Sequence, residues 1–126
     1  MIAQAILGID ISKKEAAVAL LANGTKKSKK FTNDIAGFSQ ISTWLENLGI
    51  IHVKACMEAT GSYGEKLADY LFSKGHQVHV INPACIKAFA KSKLSRHKTD
   101  ALDALLIAEF ASKIDVFNLL SYIICK

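Results

Sequence analysis

Ala5-Ile6-Leu7-Gly8-Ile9-Asp10-Ile11 is the stretch on which the fold reading turns, an apolar run broken by one glycine and one carboxylate. A short run of this kind suits a strand buried on both faces. Residues 16–22 form a second apolar run, and Asn23-Gly24 directly after it is the strongest hairpin signal in the chain. A third, basic strand is then expected over residues 26–32, so the chain opens with three antiparallel strands.

Working outward, Thr32-Asn33-Asp34 is a cap-rich turn. Ile35, Phe38, Ile41, Leu45 and Leu48 then recur at helical spacing until Gly49 ends the pattern. Trp44 belongs to this helix as a core or half-buried residue. Residues 51–57 read as an apolar strand that ends at Glu58. A helix is expected over about residues 62–73, stopped by Lys74-Gly75, followed by a strand over Gln77–Ile81 with Val78 and Val80 alternating. Asn82-Pro83 opens another helix, with the only proline of the chain at its first turn. Thr99 is expected to cap a last helix that carries Asp100, Asp103 and Glu109. The predicted order, β-β-β-α-β-α-β-α-α, is an α/β fold with a mixed sheet and helices on its faces.

At 126 residues there is room for one domain, and 51% hydrophobic residues supply a core and exclude disorder. The division expected is a domain over residues 1–112 and an apolar tail over residues 113–126. Sixteen Lys and Arg stand against eleven Asp and Glu, and the net charge of +5 favours polyanionic partners. Cys56, Cys85 and Cys125 form no CxxC pair, which argues against a disulfide framework and a cysteine zinc site. The first two read as buried thiols. The apolar N-terminus lacks a positively charged region ahead of it, no run approaches the ~20 apolar residues of a membrane span, and a bacterial or archaeal cytoplasm is expected.

Four acids are candidates for chemistry. Asp10 interrupts a buried strand, where a lone carboxylate is costly unless paired or metal-bound; a strand-end hydrogen bond to a turn would also explain it. Glu58 sits at the carboxyl end of a parallel strand, where ligand sites gather in open α/β sheets. Asp100 and Asp103, three apart, share one face of the last helix, although acids in a first turn also complement the helix dipole. Together they make an oxygen-rich set suited to Mg²⁺ or Mn²⁺.

The segment over residues 87–98 contains Lys87, Lys91, Lys93, Arg96 and Lys98, with His97 and no acid. A solvated helix face would account for it, but its place before the acidic helix suggests a surface for a phosphate backbone. Lys26, Lys27, Lys29 and Lys30 are ambiguous, because edge strands use lysine against aggregation. None of the four histidines has metal-ligand spacing with a cysteine, and the Gly61-x-x-Gly64 turn is too short for a Walker A loop.

Three motifs carry a resemblance: Leu7-Gly-Ile-Asp10-Ile-Ser-Lys13, Met57-Glu58-Ala-Thr-Gly-Ser-Tyr63 and Lys98-Thr-Asp100-Ala-Leu-Asp103-Ala. In this order, with Val80-Ile-Asn-Pro83 and the basic stretch between the last two, they resemble the N-terminal domain of the DEDD transposases of the IS-one-ten insertion sequences. The resemblance runs from about residue 5 to residue 112. It implies an RNase H-like (RuvC-like) fold, a sheet with helices on both faces, and divalent metal held by Asp10, Glu58, Asp100 and Asp103. It further implies DNA as the partner in transposition and site-specific recombination, a structured guide RNA in some members, and a homo-oligomer in the full-length proteins. Lys13, Lys87, Lys91, Lys93, Arg96 and Lys98 are the nucleic-acid-binding candidates.

The family also carries a C-terminal domain with a serine nucleophile. Residues 114–126 do not resemble the helix that should lead to it, and Ser121 matches no nucleophile motif, so a truncated product is expected. The function expected is phosphodiester chemistry at a two-metal site. The alternatives are an inactive nucleic-acid-binding fragment and a stand-alone Holliday junction resolvase-like nuclease. An actin-like ATPase lobe is excluded, because Ser12-Lys13 replaces its phosphate-binding glycine and the chain is too short for two lobes.

Overall fold

The apolar run at the start forms β1 (Ala5–Ile11), the central strand of a five-stranded sheet. In this computed structural model, residues 5–58, 61–92 and 100–113 are described. The other strands are β2 (Glu15–Ala22), β3 (Thr25–Thr32), β4 (Val53–Glu58) and β5 (Gln77–Ile81), in the order β3-β2-β1-β4-β5. The helices are α1 (Ile35–Asn47), α2 (Glu65–Ser73), α3 (Pro83–Ser92) and α4 (Asp100–Lys113). The element order matches the expected one, and the sheet is mixed: β1, β2 and β3 are antiparallel neighbours, while β4 runs parallel to β1 and β5 to β4.

Local chemistry accounts for most boundaries. Asn23 and Gly24 have φ of 52° and 77°, the positive pair that a tight two-residue hairpin requires, and Ala22 faces Thr25 across the turn. Asp34 caps α1: its carboxylate accepts from the Gly37 amide at 2.8 Å and from the Thr32 hydroxyl at 2.7 Å. Those bonds, the Gly37 amide foremost, hold the Asp34 carboxyl below its usual range. Asn82 caps α3 by accepting from the Ala84 amide at 2.8 Å, with Pro83 at the first helical position. α2 begins at Glu65, three residues later than the sequence pattern suggests, because residues 61–64 form a turn with Gly61 at φ 65°. The Thr99 cap expected for α4 lies outside the described residues, as does the tail expected over residues 113–126 apart from Lys113, the last residue of α4.

The sheet is buried on both sides. Leu7, Ile9, Val18, Leu20, Ala55 and Met57 point to one face and pack with Phe38, Ile41 and Leu45 of α1 and Leu67 and Leu71 of α2. Ile6, Ala17, Ala19, Cys56 and Ile81 point to the other and pack with Ile86 of α3 and Ala104, Ile107, Ala108 and Ala111 of α4. Helices therefore cover both faces. Cys56 is buried as expected, whereas Cys85 is half-buried, and Trp44 is a half-buried helix residue whose ring lies 5.7 Å from that of Phe31, tilted by 60°.

α4 lies directly on β1. A Cβ at Gly8 would collide with the Ala104 carbonyl oxygen and the Ala108 amide nitrogen and lie 2.8 Å from the Ala108 Cα. Lys54, with no exposed surface, fixes the far end of the helix by donating from Nζ to the Ala111 carbonyl at 3.0 Å. A cation at a helix C-terminus also opposes the negative end of the dipole. Lys54 pairs with Ile6, and Gly8 lies two positions further along β1. α4 therefore runs antiparallel to β1 and β4, and its N-terminal end points to their carboxyl ends.

His76, 8% exposed, ties the turn between α2 and β5 to β4 by accepting a hydrogen bond at Nδ1 from the Val53 amide at 3.1 Å. Burial first, and the neighbouring His52 second, lower its pKa from 6.5. The folded chain then resists a proton that the unfolded chain takes up, so this contribution is intact above about pH 6.5 and declines as pH falls below it. Thermal melts between about pH 5 and pH 7 should show stability falling with acidity, with a shallower slope in His76→Gln; identical slopes would exclude the contribution. Gly8→Ala forces Cβ into helix backbone, and denaturant melts should show a destabilisation of about 1–3 kcal/mol. An unchanged midpoint would rule out the close approach of α4.

Candidate active site

The two strand-end acids come together through the register. β1 and β4 are parallel neighbours with Ile9 beside Met57, so Asp10 and Glu58 occupy the next position on each strand. Adjacent strands lie about 4.8 Å apart. Asp10 pairs on its other side with Ala17, and Glu58 with Ile81. Ala17 and Ile81 both belong to the core beneath α3 and α4, so the two carboxylates stand on the α4 face of the sheet.

The third acid arrives from the helix. Asp103 precedes Ala104, one of the residues seated on Gly8, and therefore lies at the same end of the sheet. Glu58 and Asp103 line one cleft of about 470 Å³, with Pro83, Ile86 and Lys87 of α3 and Ile107 of α4. Asp10, Glu58 and Asp103 are all half-buried. Asp10 is not among the residues that line the cleft. Among the described residues, no three His, Cys, Asp or Glu side chains converge closely enough to hold a metal ion. Asp100 is the first residue of α4, and its side chain lies outside the described part.

Of the basic candidates, Lys87 is exposed on α3 and borders the cleft beside both acids. Lys13 is exposed in the turn that follows β1. Lys91 lies on α3 with its side chain outside the described part, and Lys93, Arg96, His97 and Lys98 fall outside the described residues altogether.

Two residues of this region are not marked out by sequence alone. Asn33 donates from Nδ2 to the Ser12 carbonyl at 3.0 Å and to the Tyr63 carbonyl at 3.0 Å, with a longer contact to the Lys13 carbonyl at 3.5 Å. It joins the turn after Asp10 to the turn after Glu58. Its neighbour Asp34 takes the helix cap, and no local pattern marks Asn33 for a different task. Lys54 shares a strand face with Glu58, and its signal is a lone lysine inside Val53-Lys54-Ala55-Cys56-Met57.

The chemistry open to this edge is that of hard oxygen donors. Carboxylates on two adjacent strand ends and on the facing helix suit a small divalent cation better than a soft one. Lys87 at the border of the cleft offers the cationic support that a phosphate group needs, which the acids alone do not.

Comparison with known proteins agrees with the architecture. The structure of T. thermophilus RuvC in complex with a Holliday junction substrate superposes with a TM-score of 0.59 at 11% identity, covering 91% of this chain and 96% of that one. The Fowlpox virus resolvase bound to Holliday junction DNA gives 0.53 at 16% identity, covering 90% and 99%. The fold is accordingly RNase H-like, of the RuvC type. In sequence, the pilin gene-inverting proteins of Moraxella bovis and Moraxella lacunata are 39% and 38% identical over 111 residues. The matches cover 85% of this chain and 34% of each relative, so the chain spans about a third of their length. A family model described as a transposase, that of the DEDD enzymes of the IS-one-ten elements, matches residues 7–121. The chain belongs to the DEDD transposase family of the IS-one-ten insertion sequences.

Proposed function

We propose that this chain binds DNA across the carboxyl edge of its sheet and carries the divalent-metal-dependent phosphodiester chemistry of DNA transposition and site-specific recombination. The observation that carries this reading is the convergence of Glu58 and Asp103 on one cleft, with Asp10 on the adjoining strand end. Asp10, Glu58, Asp100 and Asp103 would hold Mg²⁺ or Mn²⁺. When bound, such ions supply Lewis acidity for the attacking oxygen and charge stabilisation for the leaving one.

The chain's own residues do the rest. β1 and β4 set the spacing of Asp10 and Glu58, and the seat of α4 on Gly8 brings Asp103 to the same end of the sheet. Lys87 supplies positive charge at the cleft for a DNA phosphate. Ile86 and Ile107 give the cleft an apolar wall that limits water around the reacting group. The net charge of +5 supports DNA as the partner, as does membership of the family.

Without metal, the neighbouring carboxylates repel one another, so an ion bound by the folded chain stabilises it. At about a hundred times its Kd the ion adds about 2.7 kcal/mol, which is several degrees in Tm for a domain of this size. Thermal melts with and without Mn²⁺ should show that rise in the wild type and lose it in Asp10→Asn, Glu58→Gln and Asp103→Asn. Equal Tm values with and without metal in the wild type would sink the reading.

A further inference from the structure

A second charged feature lies on β3, on the side of Asp10 away from the cleft, and reaches the acid end of the sheet at Lys30. β3 is an edge strand, and its residues from Thr25 to Lys30 are all exposed, Lys26, Lys27, Lys29 and Lys30 among them. The register sorts these lysines by face. Lys30 pairs with Ala17, and Ala17 pairs with Asp10, so the three form one row across the sheet. Paired residues point to the same side, and Ala17 belongs to the core beneath α4. Lys30 therefore shares a face with Asp10 and Glu58. Two strand spacings, about 10 Å of backbone, separate Lys30 from Asp10. The residue between them in the row, Ala17, is buried beneath α4, so Lys30 and Asp10 reach the edge on either side of that helix.

Lys26 is on that face as well, in a row with Leu21 and Ile6, four residues and about 13 Å along β3 toward the opposite end of the sheet. Lys27 and Lys29 are on the opposite face, paired with Leu20 and Val18, and the Lys29 ammonium lies 5.5 Å from the Phe31 ring centroid. Lysines that merely guard an edge against strand pairing would serve on either face. Lysines that hold a polyanion at the acid site must be on its side.

We propose that Lys30, with Lys26 behind it, forms a second phosphate-binding flank of the acid site and holds the DNA backbone on the β3 side as Lys87 does on the α3 side. The inference rests on the DNA-binding reading above. It assigns the DNA a path across the carboxyl edge of the sheet, from α3 over Glu58 and Asp10 to β3. Each ammonium is a compact charge with three donors, suited to phosphate oxygens and indifferent to base sequence.

Binding of fluorescein-labelled duplex DNA, followed by anisotropy over a salt series, tests the face assignment on the chain carrying Lys26→Gln with Lys30→Gln, or Lys27→Gln with Lys29→Gln. Removal of one lysine–phosphate interaction flattens the slope of log Kobs against log salt by about 0.9. The first pair should flatten it by about 1.8 and weaken binding on unrelated sequences alike, while the second leaves it at the wild-type value. Lys26→Arg with Lys30→Arg should keep the wild-type slope. Equal effects of the two glutamine pairs, or a larger effect of the second, overturn the proposal and leave the DNA reading standing. A wild type that shows no salt-dependent DNA binding overturns both.

Discussion

The backbone of α4 rests on β1 at Gly8, without an intervening side chain, and the site inherits its geometry from that contact. Helices usually stand off a sheet by the length of their side chains. Here the facing residues are Gly8, Ala17 and Ala19 below and Ala104, Ala108 and Ala111 above. So thin a layer leaves little freedom in height. Sliding along the axis is opposed at the other end by Lys54, whose ammonium meets the Ala111 carbonyl in a fully buried setting. Burying an ammonium is costly, and such groups tend to fix position more than they add stability. Asp103, next to Ala104, is carried to its place by both contacts.

Much of this architecture is legible in the sequence. The nine described elements occur in the order that periodicity and turn chemistry indicate, because their signals are local: an Asn-Gly hairpin, an Asn-Pro helix start, a glycine after α1. Asp10 and Glu58 are readable for a related reason, since a carboxylate at the end of an apolar run stands out. The start of α2 is not, because Gly64 packs close to Met57 and Ile11, a tertiary fit that no window of sequence displays. Lys54 stands in view within β4, yet its partner is 57 residues away on a helix. Asn33 looks like one more cap residue, and its three carbonyl partners come from two other turns. The cleft that joins Glu58 to Asp103 depends on α3 folding back over β4, which periodicity does not encode.

Charge is distributed in a way that suits a polyanion. The acids gather at one edge of the sheet, and exposed lysines flank them on α3, on the turn after β1 and on β3. An acidic edge alone would repel DNA. With cations on either side, the local field can admit a phosphate backbone while keeping the carboxylates close to it. Among the described residues no helix is long and apolar enough to cross a membrane.

The placement of α4 has a consequence for the order of assembly. β1, β2 and β3 are joined by short hairpins and can pair early, through contacts close in sequence. The acids come instead from the first strand, the fourth strand and α4, and docking that helix closes a loop of nearly the whole domain. Until α4 docks, the strands can pair while the acids of that helix are still away from the edge of the sheet. The set of acids would then be completed last, when α4 docks on β1.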